Sequence, residues 1–281
     1  MKKAAALRLT TSQFILLGFL TVILAGSVLL VLPISAVDGN SVPYIDALFT
    51  ATTSTCVTGL VTVPTFSTWS GFGQVVILLL IQIGGLGVVT IVSSMMMLLH
   101  RRIGISTRLL IQDAFNLNTL SGLVRFVRKV LLGTFAVEGA GALAYMAVFV
   151  PQFGARGIWI SVFNSVSAFC NAGIDILADN SLCAYATEPL VNVVTCCLIV
   201  LGGIGYIVWW DVLRVLGQKK RHTRRHFWKH LSLQSKIAIY MTLLLIFGGA
   251  ALILAFEFNN PLTLGGMTLP QKLQAALFQS V

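Results

Sequence analysis

Five apolar runs, at roughly residues 11–32, 72–99, 125–150, 189–216 and 235–256, are each long enough to cross a hydrocarbon core as a helix. Such a core is about 30 Å thick and takes about 20 helical residues. Backbone polar groups inside it must be satisfied within the spanning segment, which favours helices over open strands. The expected fold class is therefore an all-α integral membrane protein. Composition agrees, because with 57% hydrophobic and only 10% charged residues the chain lacks the polar surface to cover a water-soluble core. The opening MKKAAALRLTTSQFILLGFL has the basic-then-apolar order of a secretory signal, but its apolar run is too long for one and reads as a first span.

The formal net charge of +10 would suggest nucleic acid in a soluble protein. Here its distribution matters more. Lys2, Lys3 and Arg8 precede the first run; Arg101, Arg102, Arg108, Arg125, Arg128 and Lys129 separate the second and third. Arg214, Lys219, Lys220, Arg221, Arg224, Arg225, Lys229 and Lys236 bracket the loop between the fourth and fifth. The opposite loops carry only Arg156 and Lys272 and collect Asp38, Asp46, Asp175, Asp179 and Glu188. This positive-inside asymmetry places the N-terminus in the cytoplasm, and no nucleic-acid partner is expected.

Each outer loop holds a segment too apolar for a loop and too short for a span: Val42–Thr53 and Gly157–Ala168. A dozen helical residues reach about 18 Å, roughly half the membrane. Each is followed by a glycine-containing stretch and another span, which is a re-entrant arrangement. Irregular backbone at that depth is tolerated only inside protein or beside water, so the return segments should line a cavity. The units repeat: Phe49, Cys56 and Gly59 match Phe163, Cys170 and Gly173, and Gly84-Gly85-Leu86-Gly87 parallels Gly202-Gly203-Ile204-Gly205. This divides the chain into a first repeat over 1–99, a basic cytoplasmic linker over 100–124, a second repeat over 125–216 and a basic loop over 217–234. A third repeat opens over 235–281, where Phe278 matches Phe49 and Phe163. In that register the third glycine falls about ten residues beyond Phe278, so the chain is expected to stop inside a pore helix. Such units are normally completed by neighbours around an axis.

A half-helix entering from outside points its C-terminus inward, and the macrodipole puts roughly half a negative charge there, favouring a cation below it. The segments that follow, Thr55-Cys56-Val57-Thr58-Gly59 and Phe169-Cys170-Asn171-Ala172-Gly173, contain no acid. Selectivity would then come from backbone carbonyls replacing an ion's hydration shell. Glycine at 59 and 173 permits backbone angles that other residues resist. Neutral segments of this kind point to a weakly hydrated monovalent cation such as K⁺, because a divalent-selective pore would usually show a carboxylate ring.

VTGL after DALFTATT, followed by FGQVVILLLIQIGGLGVVT, resembles the first repeat of the TrkH/KtrB/HKT superfamily of potassium transporters, and SVFNSVSAFCNAGI resembles the second. The short N-terminus is closest to the KtrB-type membrane subunit. The resemblance implies four membrane–pore–membrane repeats around one K⁺ path, with the family's filter glycines at Gly59 and Gly173. It implies C-terminal truncation, with the filters of repeats three and four and a gating loop beyond Val281. It also implies a multi-pass homodimer in the bacterial plasma membrane, a cytosolic nucleotide-binding regulatory subunit, and Na⁺ as a coupling or activating ion. A sodium-selective or non-discriminating transporter of the same fold, and a fragment without activity, are the alternatives. An enzyme would need paired carboxylates, clustered histidines or a nucleophile at membrane depth, and only Glu138 offers itself, so none is expected.

Other residues have plainer readings. Glu138 and Gln82, mid-span, are expected as interior hydrogen-bonding partners, and the glycine runs as close helix packing behind the filter. Asp46 suits the positive end of the first half-helix. Cys56, Cys170, Cys183, Cys196 and Cys197 show no metal spacing. His222, His226 and His230 stand four apart, but within QKKRHTRRHFWKH they read as a solvated basic face; this 218–230 stretch is expected to orient the chain and face lipid, with a cytosolic regulator as a second use.

Overall fold

The computed structural model describes residues 10–87, 90–94, 109, 112, 123–178, 180–217 and 227–281. Lys2, Lys3, Arg8, most of the 100–124 linker, Asp179, His222, His226 and the basic residues 219–225 lie outside these. No strand occurs among the described residues, and the all-helical membrane class stands. The long helices are α1 (Thr11–Val31), α2 (Tyr44–Cys56), α3 (Gly71–Leu86), α4 (Leu123–Phe153) and α5 (Ala155–Phe169). They continue as α6 (Pro189–Gly203), α7 (Tyr206–Gly217), α8 (Leu233–Glu257) and α9 (Leu269–Ser280). Three of them, α1, α4 and α8, are each long and apolar enough to cross a membrane.

The chain forms two compact units. The first comprises residues 1–136 with 172–179. In it α1 starts at a capping box, with Thr10 N–H donating to Gln13 Oε1 (3.0 Å) and Gln13 N–H to Thr10 Oγ1. α1, α2 and α3 pack on one another. Gly26 of α1 admits the methyls of Leu80, which would stand 2.7 Å from a Cβ there. Before α3 the chain is tied back to Pro33–Ser35, where Ser70 N–H donates to Ser35 O (2.9 Å) and Ser70 Oγ to Ile34 O (2.6 Å). Trp69 is buried at this tie.

The second unit comprises 137–171 with 180–281. Its core is aromatic: Tyr145 stacks on Phe149 (5.5 Å between centroids), and Tyr185 meets Phe149 edge-on. Tyr145 and Thr195 share a hydrogen bond of 2.6 Å between α4 and α6. Cβ-less Gly157 lets α5 close on the Phe149 carbonyl. α9 packs on α8, where Ser280 Oγ donates to Ile246 O (2.7 Å) above Gly249.

The span expected over 189–216 is two helices rather than one, with α6 and α7 meeting at 98°. The break falls at Gly205, whose φ of 92° is outside the helical range. α3 likewise stops short of the expected 72–99 run, at Gly87 with φ 81°. The third glycine of each matched run is thus a helix break, a role that the reading of close packing did not assign.

Candidate functional site

The first half-helix, α2, carries Asp46 in its first turn, as expected from its dipole. Its hydroxyls fold back on the helix, Thr52 Oγ1 donating to Leu48 O and Ser54 Oγ to Thr50 O, which lets a polar sequence be buried. The helix ends in a Schellman motif: Val57 is left-handed (φ 56°, ψ 48°), and Thr58 N–H donates to Thr53 O at 2.9 Å. Glycine normally fills that position. A β-branched residue there is an outlier costing about 1–2 kcal/mol. Strain of this kind persists where the surroundings over-determine the backbone, and it concentrates at functional sites. Two residues on, Gly59 is again at positive φ (83°).

The second half-helix, α5, is capped by Cys170 in the right-handed region, and the sign of φ reverses one residue later. Asn171 has φ 59° and Gly173 has φ 66°, at the positions matching Val57 and Gly59. Asparagine is among the few residues that enter this region readily. Thr58 and Ala172, between them, are not among the positive-φ residues. Alternating the sign of φ turns successive peptide planes the same way, so consecutive carbonyls can line one side of the segment. That is the arrangement a carbonyl-lined ion path requires.

The glycine runs explain what holds these segments. A Cβ on Gly84 of α3 would overlap the carbonyl oxygen of Thr55, and a Cβ on Gly202 of α6 would overlap that of Phe169. Thr55 and Phe169 occupy matching sequence positions, so both segments seat a carbonyl from the last turn of the helix against a glycine of the following helix. The expected return segments therefore start later than anticipated. Thr55 and Cys56 belong to α2 and Phe169 to α5, because the Schellman turn caps α2 only at Val57 and α5 runs on to its cap at Cys170. The carbonyls of Thr55 and Phe169 face the supporting helices.

Within the first unit Gly59 meets Ala172 and Gly173: a Cβ on Gly59 would stand 2.7 Å from Ala172 O and 3.6 Å from Gly173 Cα. The two glycines matched by sequence are neighbours in space. Within the second unit Cys170 and Asn171 are grouped with Glu138 and Gly203. Cys170 Sγ lies 3.9 Å from Glu138 Oε1, Ser165 Oγ donates to the Glu138 carbonyl (2.6 Å), and Asn171 Nδ2 lies 3.4 Å from a Cβ on Gly203. Glu138 is buried and hydrogen-bonded, as its mid-span position led one to expect. All five cysteines are free, and among the described residues no His, Cys, Asp or Glu cluster is placed to hold a metal.

One polar centre was not foreseen. Asp211 of α7 is buried and accepts from Ser232 N–H (2.8 Å), Ser235 Oγ (2.7 Å) and Arg214, fastening α7 to the start of α8. The available signal is a lone acid beside a run of basic residues.

A model of the TrkH family, described as cation transport protein, matches residues 9–270. The chain is 41% identical to the potassium/sodium uptake protein NtpJ of Enterococcus hirae, over 100% of this chain and 60% of that protein. It is 40% identical to the Ktr system potassium uptake protein B of Bacillus subtilis (98% and 59%) and 35% identical to that of Vibrio alginolyticus (95% and 57%). The chain thus spans less than two thirds of the length of these curated relatives.

Proposed function

This chain belongs to the TrkH cation transport family, and from that premise we propose that it is the ion-translocating membrane part of a Ktr-type potassium uptake system. The observation that carries the reading is the paired backbone: positive φ at Val57 and Gly59, repeated at Asn171 and Gly173, with the two glycines in contact. In this reading K⁺ arrives from the outer face and exchanges water for the carbonyls of Val57, Thr58, Gly59, Ala172 and Gly173, all within the first unit. It then passes below the C-terminus of α2, whose dipole favours a cation. Thr55 and Phe169 hold the segments in place, while Cys56 and Cys170 flank them. The N-terminus faces the cytoplasm of a bacterial cell, the protein is a homodimer in the plasma membrane, and a nucleotide-binding regulator docks on the basic face. The word system in the names of the Bacillus and Vibrio relatives supports a multi-component assembly.

A second reading has its own support. The Enterococcus relative is named for both potassium and sodium, so Na⁺ is either a coupling ion or a second cargo. Uptake of Rb⁺ and Na⁺ by the whole protein in proteoliposomes separates the two. Potassium selectivity predicts that Rb⁺ is strongly preferred and that Gly59→Ser erodes the preference about tenfold, the scale of 1–2 kcal/mol of backbone strain. Equal Rb⁺ and Na⁺ uptake, unaffected by Gly59→Ser, would contradict it.

A further inference from the structure

At the start of α8, Trp228, Lys229, Lys236, Ile237, Tyr240 and Met241 line an open groove of about 570 Å³. Neither lysine has an ion-pair partner among the described residues, where the salt bridge present is Arg214–Asp211. Trp228 and Tyr240 are exposed, and such aromatic rings settle at membrane–water boundaries. From the groove an exposed apolar stripe runs on along α8 through Ile237, Tyr240, Leu244 and Phe247, spaced three and four residues apart on one helix face. Two cationic side chains at the water-facing end of a bare apolar track match a molecule with an anionic head and a hydrocarbon tail.

We propose that this groove binds an anionic phospholipid of the cytoplasmic leaflet, its headgroup held by Lys229 and Lys236 and one acyl chain laid along α8. The proposal rests on the cytoplasmic orientation of the basic loop given above. The lysine stems lie along the apolar wall and carry their ammonium groups to the headgroup level. The neighbouring sequence adds Lys219, Lys220, Arg221, Arg224 and Arg225, which raises the local concentration of anionic lipid. The continuous apolar track distinguishes a lipid from a free phosphate compound, which would use the lysines alone.

Native mass spectrometry of the purified protein, equilibrated with equal amounts of phosphatidylglycerol and phosphatidylcholine, tests this. Phosphatidylglycerol should be retained in preference, and Lys229→Gln/Lys236→Gln should lower retention roughly fivefold or more, since each lysine contributes about that factor. Lys2→Gln/Lys3→Gln removes the same charge elsewhere and should leave retention unchanged, as should free glycerol phosphate at equal concentration. Unchanged retention in the groove variant, an equal loss in the control variant, or displacement by glycerol phosphate overturns the site. Phosphatidylglycerol and phosphatidylcholine retained equally overturns it as well. The orientation is read separately from Lys229→Cys, which a membrane-impermeant maleimide should label beyond the native cysteines only in inside-out vesicles. Labelling from right-side-out cells overturns the orientation, whereas a lost lipid preference with correct labelling overturns the lipid site alone.

Discussion

The segments that follow α2 and α5 share the positions of positive φ in different surroundings. In the second, Phe169, Cys170, Ala172, Ile174 and Ile176 are all buried. In the first, Cys56 and Thr58 are exposed, and Leu60 and Val61 are 61% and 52% exposed. Yet Val57 and Asn171 are both left-handed, Gly59 and Gly173 both have positive φ, and Gly84 and Gly202 seat equivalent carbonyls. The positive-φ residues themselves are unburied in both, Asn171 and Gly173 exposed and Val57 and Gly59 half-buried, so burial of the flanking residues does not set the turn. What the two segments share is a glycine of the next helix pressed against a carbonyl in the last turn of the half-helix, together with a turn that reverses φ. What differs is the side chain that accepts the turn: an asparagine suited to it in one repeat, a valine strained by it in the other.

The largest effects should come from breaking the shared contact. Gly202→Ala and Gly84→Ala each force a methyl into a carbonyl oxygen, and a backbone group cannot move aside as a side chain can. We expect at least a tenfold loss of Rb⁺ uptake from either, with overpacking of about 1–3 kcal/mol lowering the thermal unfolding midpoint. A Gly84→Ala protein with normal uptake would separate the two repeats and break the comparison.

Gly173→Ser ranks next, alongside Gly59→Ser. Both impose a side chain on positive φ, but only Gly59 has a facing carbonyl, that of Ala172, near its Cβ position. Gly59→Ser should therefore cost more selectivity for Rb⁺ over Na⁺ than Gly173→Ser, a difference read from competitive uptake. The exchange of turn residues sharpens the contrast further. Asn171→Val should destabilise by about 1 kcal/mol and Val57→Asn should stabilise by a similar or smaller amount, because only valine is strained in the left-handed region. Thermal unfolding in one detergent compares them, and shifts of the same sign would refute the assignment of strain.

The smallest effect concerns a group that only the second repeat has. Glu138 sits beside Cys170 and its backbone accepts from Ser165. As an interior partner it should tolerate Glu138→Gln with Rb⁺ uptake within about threefold, since the amide keeps an acceptor and volume. A loss of two orders of magnitude would make the carboxylate part of the ion path.

Most of this was legible in advance, and the reasons are specific. The apolar runs announce helices because lipid leaves no other way to satisfy the backbone. The phenylalanine–cysteine–glycine spacing announced two equivalent return segments, and Gly59 does lie against Gly173. The glycine runs are expected to give close helix packing, and Gly84 and Gly202 do lie against the carbonyls of Thr55 and Phe169. Three things were hidden. Helix ends are poorly marked when the capping residue is Val57, which carries no local turn signal, so the sequence sets Thr55 and Cys56 after the helix that in fact contains them. The 98° bend at Gly205 was masked by unbroken apolar sequence on both sides. The role of Asp211 is hidden because its partners Ser232 and Ser235 are brought to it by tertiary packing.

The central claim is that main-chain oxygens of two matched turns carry the ion, and anomalous scattering from Rb⁺ in crystals of the protein tests it most directly. The account predicts a Rb⁺ peak about 3 Å from carbonyl oxygens of Val57–Gly59, Ala172 and Gly173, lost when Na⁺ replaces Rb⁺. Rb⁺ bound instead at side-chain carboxylates, with none beside those carbonyls, would contradict it.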